Sequence, residues 1–122
     1  MNNTEVVNNT SKYIVKTTGI GSETNQELVD AEKLTEGTDG SKVSLIECYY
    51  LIEGTGTLTI SAASETESQG AGKTVAKPLK LTGKGKYGLR PNQLKYGNDK
   101  IIKLTTDANV KSYLLVTEFR RN

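Results

Sequence analysis

The sequence predicts an all-β domain, a β-sandwich or jelly-roll-like fold of about seven or eight short antiparallel strands. Three observations carry this. Short segments rich in Thr, Val, Ile and Tyr recur along the chain, each closed by a glycine-containing turn. The chain is only 34% hydrophobic against 25% charged, so its core is thin, and two packed sheets fill a thin core better than a multilayered α/β arrangement. Its 122 residues are enough for one core of that kind without disulfide or metal staples.

Residues 1–11 (MNNTEVVNNTS) read as an extended, flexible polar arm, and residues 12–122 as a single sandwich domain. Tyr13–Thr17 is the first strand, ended by Gly19-Ile20-Gly21. Residues 26–34 (QELVDAEKL) are open between two readings. Thr24 and Glu27 make a capping-box pattern with Leu28, Ala31 and Leu34 at helical spacing, whereas the β context favours a strand through Glu27–Ala31. Residues 35–41 (TEGTDGS) form a turn cluster.

Val43–Glu53 (VSLIECYYLIE) is the strongest strand. Strict alternation puts Val43, Leu45, Tyr49 and Leu51 on one face and Ile46, Cys48, Tyr50 and Ile52 on the other. Both faces are apolar, which fits a central strand covered twice, the second cover being a neighbouring subunit. Gly54-Thr55-Gly56 then leads into residues 57–62 (TLTISA), a β-hairpin signature with Leu58, Ile60 and Ala62 pointing inward. Residues 63–73 read as an exposed loop. Further strands run through Val75–Thr82, Lys86–Leu89, Ile101–Thr106 and Ser112–Phe119, the last two joined tightly by Asp107-Ala108-Asn109. The expected core includes Leu45, Tyr49, Leu51, Leu58, Ile60, Leu114 and Val116.

Composition excludes most catalytic chemistry. There is no histidine, no tryptophan and one cysteine, hence no Ser–His or Cys–His couple and no usual metal ligand set. Cys48 sits in the most hydrophobic run, as a buried structural thiol does. Gly70-Ala71-Gly72-Lys73-Thr74 imitates the end of a phosphate-binding loop, but Glu67 stands where that loop needs glycine and Pro78 comes too early for its helix. Gly83-Lys84-Gly85-Lys86-Tyr87-Gly88 matches G-x-G-x-x-G, yet Leu89-Arg90-Pro91 follows where dinucleotide binding needs a helix. Its glycines serve a turn or bulge instead. Glu47 and Glu53 share a strand face about 20 Å apart, too far for a glycosidase pair. Asp39, Asp99 and Asp107 sit in turn contexts. Catalytic residues, cofactors and metal ligands are therefore all read as none.

No apolar run approaches the about 18 residues of a membrane span, and the first residues lack the basic and apolar regions of a signal peptide. Charge is polarised along the chain. Residues 1–69 hold 4 lysines against 11 acidic residues, and residues 70–122 hold 12 basic against 3 acidic ones. Either the two halves interleave and their charges pair across strands, or the poles stay apart and attract partners. Lys77, Lys80, Lys84, Lys86, Arg90, Lys95, Lys100 and Lys103, interleaved with Tyr87 and Tyr96, form a basic stripe in the sequence. A chain with net charge +2 and few aromatics favours solvated lysines over nucleic-acid binding.

The stretches Leu28-Val29-Asp30-Ala31, Val43–Ile60 and Leu81–Phe119 together resemble, in size and Thr/Gly-rich strand style, the small virion proteins of tailed phages, in particular capsid decoration (cement) proteins. The resemblance carries no diagnostic motif. It implies a non-enzymatic structural protein of the virion, made in the host cytoplasm, bound to the assembled shell and stabilising it. Its implied partners are the major capsid protein or another virion protein and neighbouring copies of itself; the residues themselves point to no membrane and disfavour nucleic acid. Read with the residues, the expected partner contacts are Met1, Asn2, Asn3, Thr4, Glu5, Val6 and Val7 on the arm, which would order on binding, and Lys84, Lys86 and Arg90 in the basic half. The alternatives are a β-sandwich binding module, fibre-tip or carbohydrate-binding, and then a basic-faced nucleic-acid-binding β domain.

Overall fold

In the computed structural model the described residues are 1–34, 36–38, 40–62, 79–88 and 96–121. They form ten strands: β1 (Asn2–Asn8), β2 (Lys12–Ile20), β3 (Glu23–Asp30), β4 (Val43–Gly54), β5 (Leu58–Ala62), β6 (Leu79–Leu81), β7 (Lys84–Gly88), β8 (Tyr96–Asp99), β9 (Ile101–Thr106) and β10 (Val110–Arg121). A six-stranded antiparallel sheet has the order β1-β2-β10-β4-β7, with β8 also on β4, and a four-stranded sheet has the order β3-β9-β5-β6. Setting aside β1 and β8, the strands β2-β10-β4-β7 face β3-β9-β5-β6. Most connections cross from one sheet to the other, which is the winding of a jelly roll.

The inner faces share one apolar cluster. Tyr13 and Val15 of β2, Val43, Leu45, Cys48 and Ile52 of β4, and Tyr113, Leu115 and Phe119 of β10 meet Leu28, Leu58, Ile60, Leu79, Leu81, Ile102 and Leu104 from the other sheet. Tyr13 and Phe119 stack with ring centroids 6.3 Å apart.

Several expectations change here. Residues 2–8 are not a free arm: they pair with β2 as an edge strand, Asn2 opposite Thr18 through Asn8 opposite Tyr13. A polar segment can do this because an edge strand needs backbone hydrogen bonds but no buried side chains. Asn9 closes the hairpin, its Oδ1 accepting from Ser11 N and Lys12 N, both at 2.9 Å. Residues 26–34 resolve into strand β3 up to Asp30 and then a single 3-10 turn, Ala31–Lys33, in which Asp30 Oδ1 accepts from Glu32 N at 3.1 Å.

Residues 54–62 do not make a hairpin with β4, since β4 and β5 belong to different sheets. The Gly-Thr-Gly segment is a corner. Gly54 has φ 101°, and a β-carbon on Gly56 would collide with Asp107 and the Val110 backbone. Asp107 Oδ2 accepts from Thr57 N at 2.9 Å and its Oδ1 from Asn109 N at 2.9 Å, so the β4–β5 and β9–β10 corners are clasped together. Strand β8 is an addition to the expected strands, and β6 falls within the expected Val75–Thr82 strand, whose residues 75–78 lie outside the described residues. The loop at residues 63–73 and the Gly70–Thr74 motif lie outside the described residues.

The expected facing of β4 is correct only in its first part. The register runs Phe119 opposite Leu45 and then Glu118 opposite Glu47, so β4 carries a bulge between them. Before it Val43 and Leu45 point inward; after it Cys48 and Ile52 do. Tyr49 is 51% exposed and Leu51 44% exposed. Leu114 and Val116 are likewise half-buried on the outer face. Leu45, Leu58 and Ile60 are fully buried.

Candidate functional site

The bulge decides what the six-stranded sheet shows to the outside. Reading across the strands, one row is Lys16, Val116, Tyr49 and Lys86, and the next is Thr18, Leu114, Leu51 and Lys84. Beyond them at one end lie Ile14, Glu118 and Glu47, and at the other Ile20, Ser112 and Glu53. The outcome is an apolar centre of Val116, Tyr49, Leu114 and Leu51, with lysines on both flanks and carboxylates at both ends. Ile20 extends the apolar surface and is 79% exposed.

The outer face of the four-stranded sheet is chemically different. There Lys80, Thr59 and Thr105 form one row and Ser61, Lys103 and Glu27 the next. Hydroxyls and long charged chains are what a solvated sheet presents.

Lys86 is the best-defined polar group of the first face. Its Nζ lies 2.8 Å from Glu47 Oε1 and 5.2 Å from the Tyr49 ring centroid, within cation–π range. The hydrogen-bonded Glu47 carboxylate, then Tyr49, hold its ammonium above the ordinary lysine range. Lys16, Lys84 and Glu53 enter no ion pair among the described residues.

The residues expected to contact a partner are not gathered into one patch. Those on β1 lie at one edge of the six-stranded sheet and Lys84 and Lys86 on β7 at the other; Arg90 lies outside the described residues. Asn2 and Thr4 share the outer-face rows of Thr18 and Lys16, and Val7 stands opposite Ile14. Asn3 turns inward, where Thr17 Oγ1 donates to its Oδ1 at 2.7 Å. Glu5 Oε1 accepts from Asn8 Nδ2 at 3.4 Å. Val6 sits at a register shift and is 59% exposed. The Met1 ammonium is 2.8 Å from Glu23 Oε1, and Tyr113 donates its hydroxyl proton to Glu23 Oε2, which ties β1, β3 and β10 at one end of the sandwich.

Sequence reasoning missed the residues between the two edges: Lys16, Tyr49, Leu51, Leu114 and Val116. The signal was present in the apolar character of both faces of β4 and β10. On β4, alternation carried straight through the bulge turns Tyr49 and Leu51 inward; on β10 both faces are apolar, and alternation alone does not say whether Leu114 and Val116 or Tyr113 and Leu115 face the core.

Among the described residues the basic stripe is not one surface. Lys84 and Lys86 point out from one sheet while Lys80 and Lys103 point out from the other, and Lys100 pairs with Glu32 at 3.3 Å. Tyr87 packs against the core. Lys77, Arg90 and Lys95 are outside the described residues. The acidic and basic halves of the chain interleave, as the Lys86–Glu47 and Lys100–Glu32 pairs illustrate.

Cys48 is fully buried. Burial first, then the Glu47 charge, push its thiol up to about 12, against a backbone hydrogen bond from Tyr87 that lowers it. It is therefore a protonated, inert thiol at neutral pH. Among the described residues no group of three or more Cys, Asp or Glu side chains could hold a metal ion, and no helix is long and apolar enough to cross a membrane.

Comparison with protein-family models, with characterised proteins and with solved structures finds no match to this chain.

Proposed function

We propose that this chain is a non-enzymatic structural protein of a virion, of the capsid decoration type, which binds an assembled shell and stabilises it. The observation that carries the reading is the contrast between its two outer faces. The rows of one are hydroxyl, lysine and glutamate, with Ile101 at an end, suited to water; the other has an apolar centre with a charged border, the anatomy of a contact between protein subunits. The jelly-roll winding is compatible with this role, although the fold hosts many others. Strand β1, which pairs only with β2 among the described residues, offers a second surface, an edge to which a strand of a shell subunit can add.

The rival readings receive less support. A carbohydrate module sets several aromatic rings on one open face, and among the described side chains Tyr49 is the single exposed aromatic. A nucleic-acid-binding domain needs one continuous basic surface, and the described lysines of the basic half divide between opposite faces.

The test is the composition of purified particles from the source of this sequence. Quantitative mass spectrometry should find the chain in a fixed ratio to the major capsid protein, and particles lacking it should lose packaged DNA at lower temperature. Its absence from complete particles would overturn the reading.

A further inference from the structure

An apolar centre on an outer sheet face calls for a cover. We infer that its occupant is a second copy of this chain, packed face to face with the strands of the two sheets crossing near a right angle. This rests on the reading of that face as a subunit contact and names the partner.

The reason is the layout of charge. Adjacent strands lie about 4.8 Å apart, and residues advance about 3.4 Å along a strand. The lysine columns, Lys16 on β2 and Lys84 and Lys86 on β7, therefore stand about 7 Å to either side of the apolar centre. The carboxylate ends, Glu47 with Glu118 and Glu53, stand about 10 Å above and below it. If an identical face is laid on with its strands aligned, in either direction, lysine falls on lysine and carboxylate on carboxylate. Turned by a right angle about a diagonal two-fold axis, the lysine columns of one copy fall over the carboxylate ends of the other. Orthogonal packing is one of the two ordinary ways that sheets stack, and a two-fold contact of one patch with itself is the commonest oligomeric interface. Lys86 and Glu47 already neutralise each other within the chain. Lys16, Lys84 and Glu53 do not have such a partner among the described residues, and on either diagonal Glu53 meets a lysine, Lys16 or Lys84, of the other copy.

Size sets the expected strength. A face of five strands and about 20 Å of strand length buries on the order of 1,000 Å² in total, the lower limit for a specific interface. The dimer is therefore concentration-dependent, not permanent.

The experiment is sedimentation equilibrium of the purified full chain over about a hundredfold range of concentration, with circular dichroism to verify folding. A monomer–dimer equilibrium is expected. Leu51→Asp should abolish it, and Glu53→Lys should weaken it by about tenfold or more. Adding Lys16→Glu or Lys84→Glu to Glu53→Lys should restore it for whichever lysine faces Glu53. Glu53 is exposed, so its replacement keeps the test valid even if Leu51→Asp fails to fold. A chain that stays monomeric throughout, or a dimer indifferent to Glu53→Lys, overturns the inference. So does failure of both second changes to restore association. A monomer in solution that nevertheless occupies particles sinks this inference and leaves the decoration reading intact; a dimer absent from particles does the reverse.

Discussion

Leu45 stands opposite Phe119 across the β4–β10 ladder, while the next pair along is Glu47 opposite Glu118, so one residue of β4, Ile46, is left between them. That extra residue exchanges the faces of β4. It moves Cys48 and Ile52 into the core and turns Tyr49 and Leu51 outward.

The first prediction follows from this exchange. Leu45→Ala should cost about 2–5 kcal/mol, the usual range for a fully buried leucine. Leu51→Ala, from a half-exposed site, should cost less than about 1 kcal/mol in the monomer. Urea unfolding at low protein concentration reads both. Equal losses would place Leu51 in the core and remove the bulge from its role.

Thr117 lies between Val15 and Cys48 in the ladder and is fully buried, yet its hydroxyl has no hydrogen-bond partner among the described residues. An unsatisfied buried hydroxyl costs about 1–3 kcal/mol. Thr117→Val, nearly the same in shape, should therefore raise the unfolding midpoint by an amount equivalent to about 1 kcal/mol. A clear loss of stability would mean that the hydroxyl is bonded after all.

At the clasped corner Asp107 accepts from both Thr57 N and Asn109 N. Asp107→Ala should cost about 1–3 kcal/mol, because it removes two hydrogen bonds of about 0.5–1.5 kcal/mol each. Gly56→Ala should cost more, since its β-carbon meets the Asp107 side chain and the Val110 backbone. Thermal unfolding of the two variants checks the order; a harmless Gly56→Ala would contradict the close approach.

Alkaline pH should destabilise the fold through Cys48. Its thiol is raised from 9.0 to about 12 by burial, so the folded chain holds a proton that the unfolded chain releases first. The stabilisation is complete below the unfolded value and is lost as pH rises from about 9 through about 12, to a maximum of roughly 4 kcal/mol. Burial also raises Tyr113, helped by its hydrogen bond to Glu23, which adds to the slope in the same direction. Urea midpoints between pH 8 and about 11 should fall less steeply in Cys48→Ala than in the parent chain. Identical slopes would show that Cys48 does not titrate between these states.

Local composition was enough to establish the all-β class, most strand positions and the inward facing of Leu58, Ile60 and Ala62. These depend on β-propensity and period-two alternation, which act over a few neighbouring residues. Local composition could not decide which strands pair. Gly54-Thr55-Gly56 suits a hairpin turn as well as a corner, and only the contact with Asp107 and Val110, about fifty residues away in the chain, selects the corner. It could not show the edge pairing of Asn2–Asn8 either, because backbone hydrogen bonds leave no side-chain signature. The bulge at Ile46 was equally hidden: it is a mismatch in register between β4 and β10, a property of two strands together. That register turns Tyr49 and Leu51 out beside Leu114 and Val116 of β10, so the residues of the candidate site were each visible in the sequence while their assembly into one surface belonged to the tertiary structure.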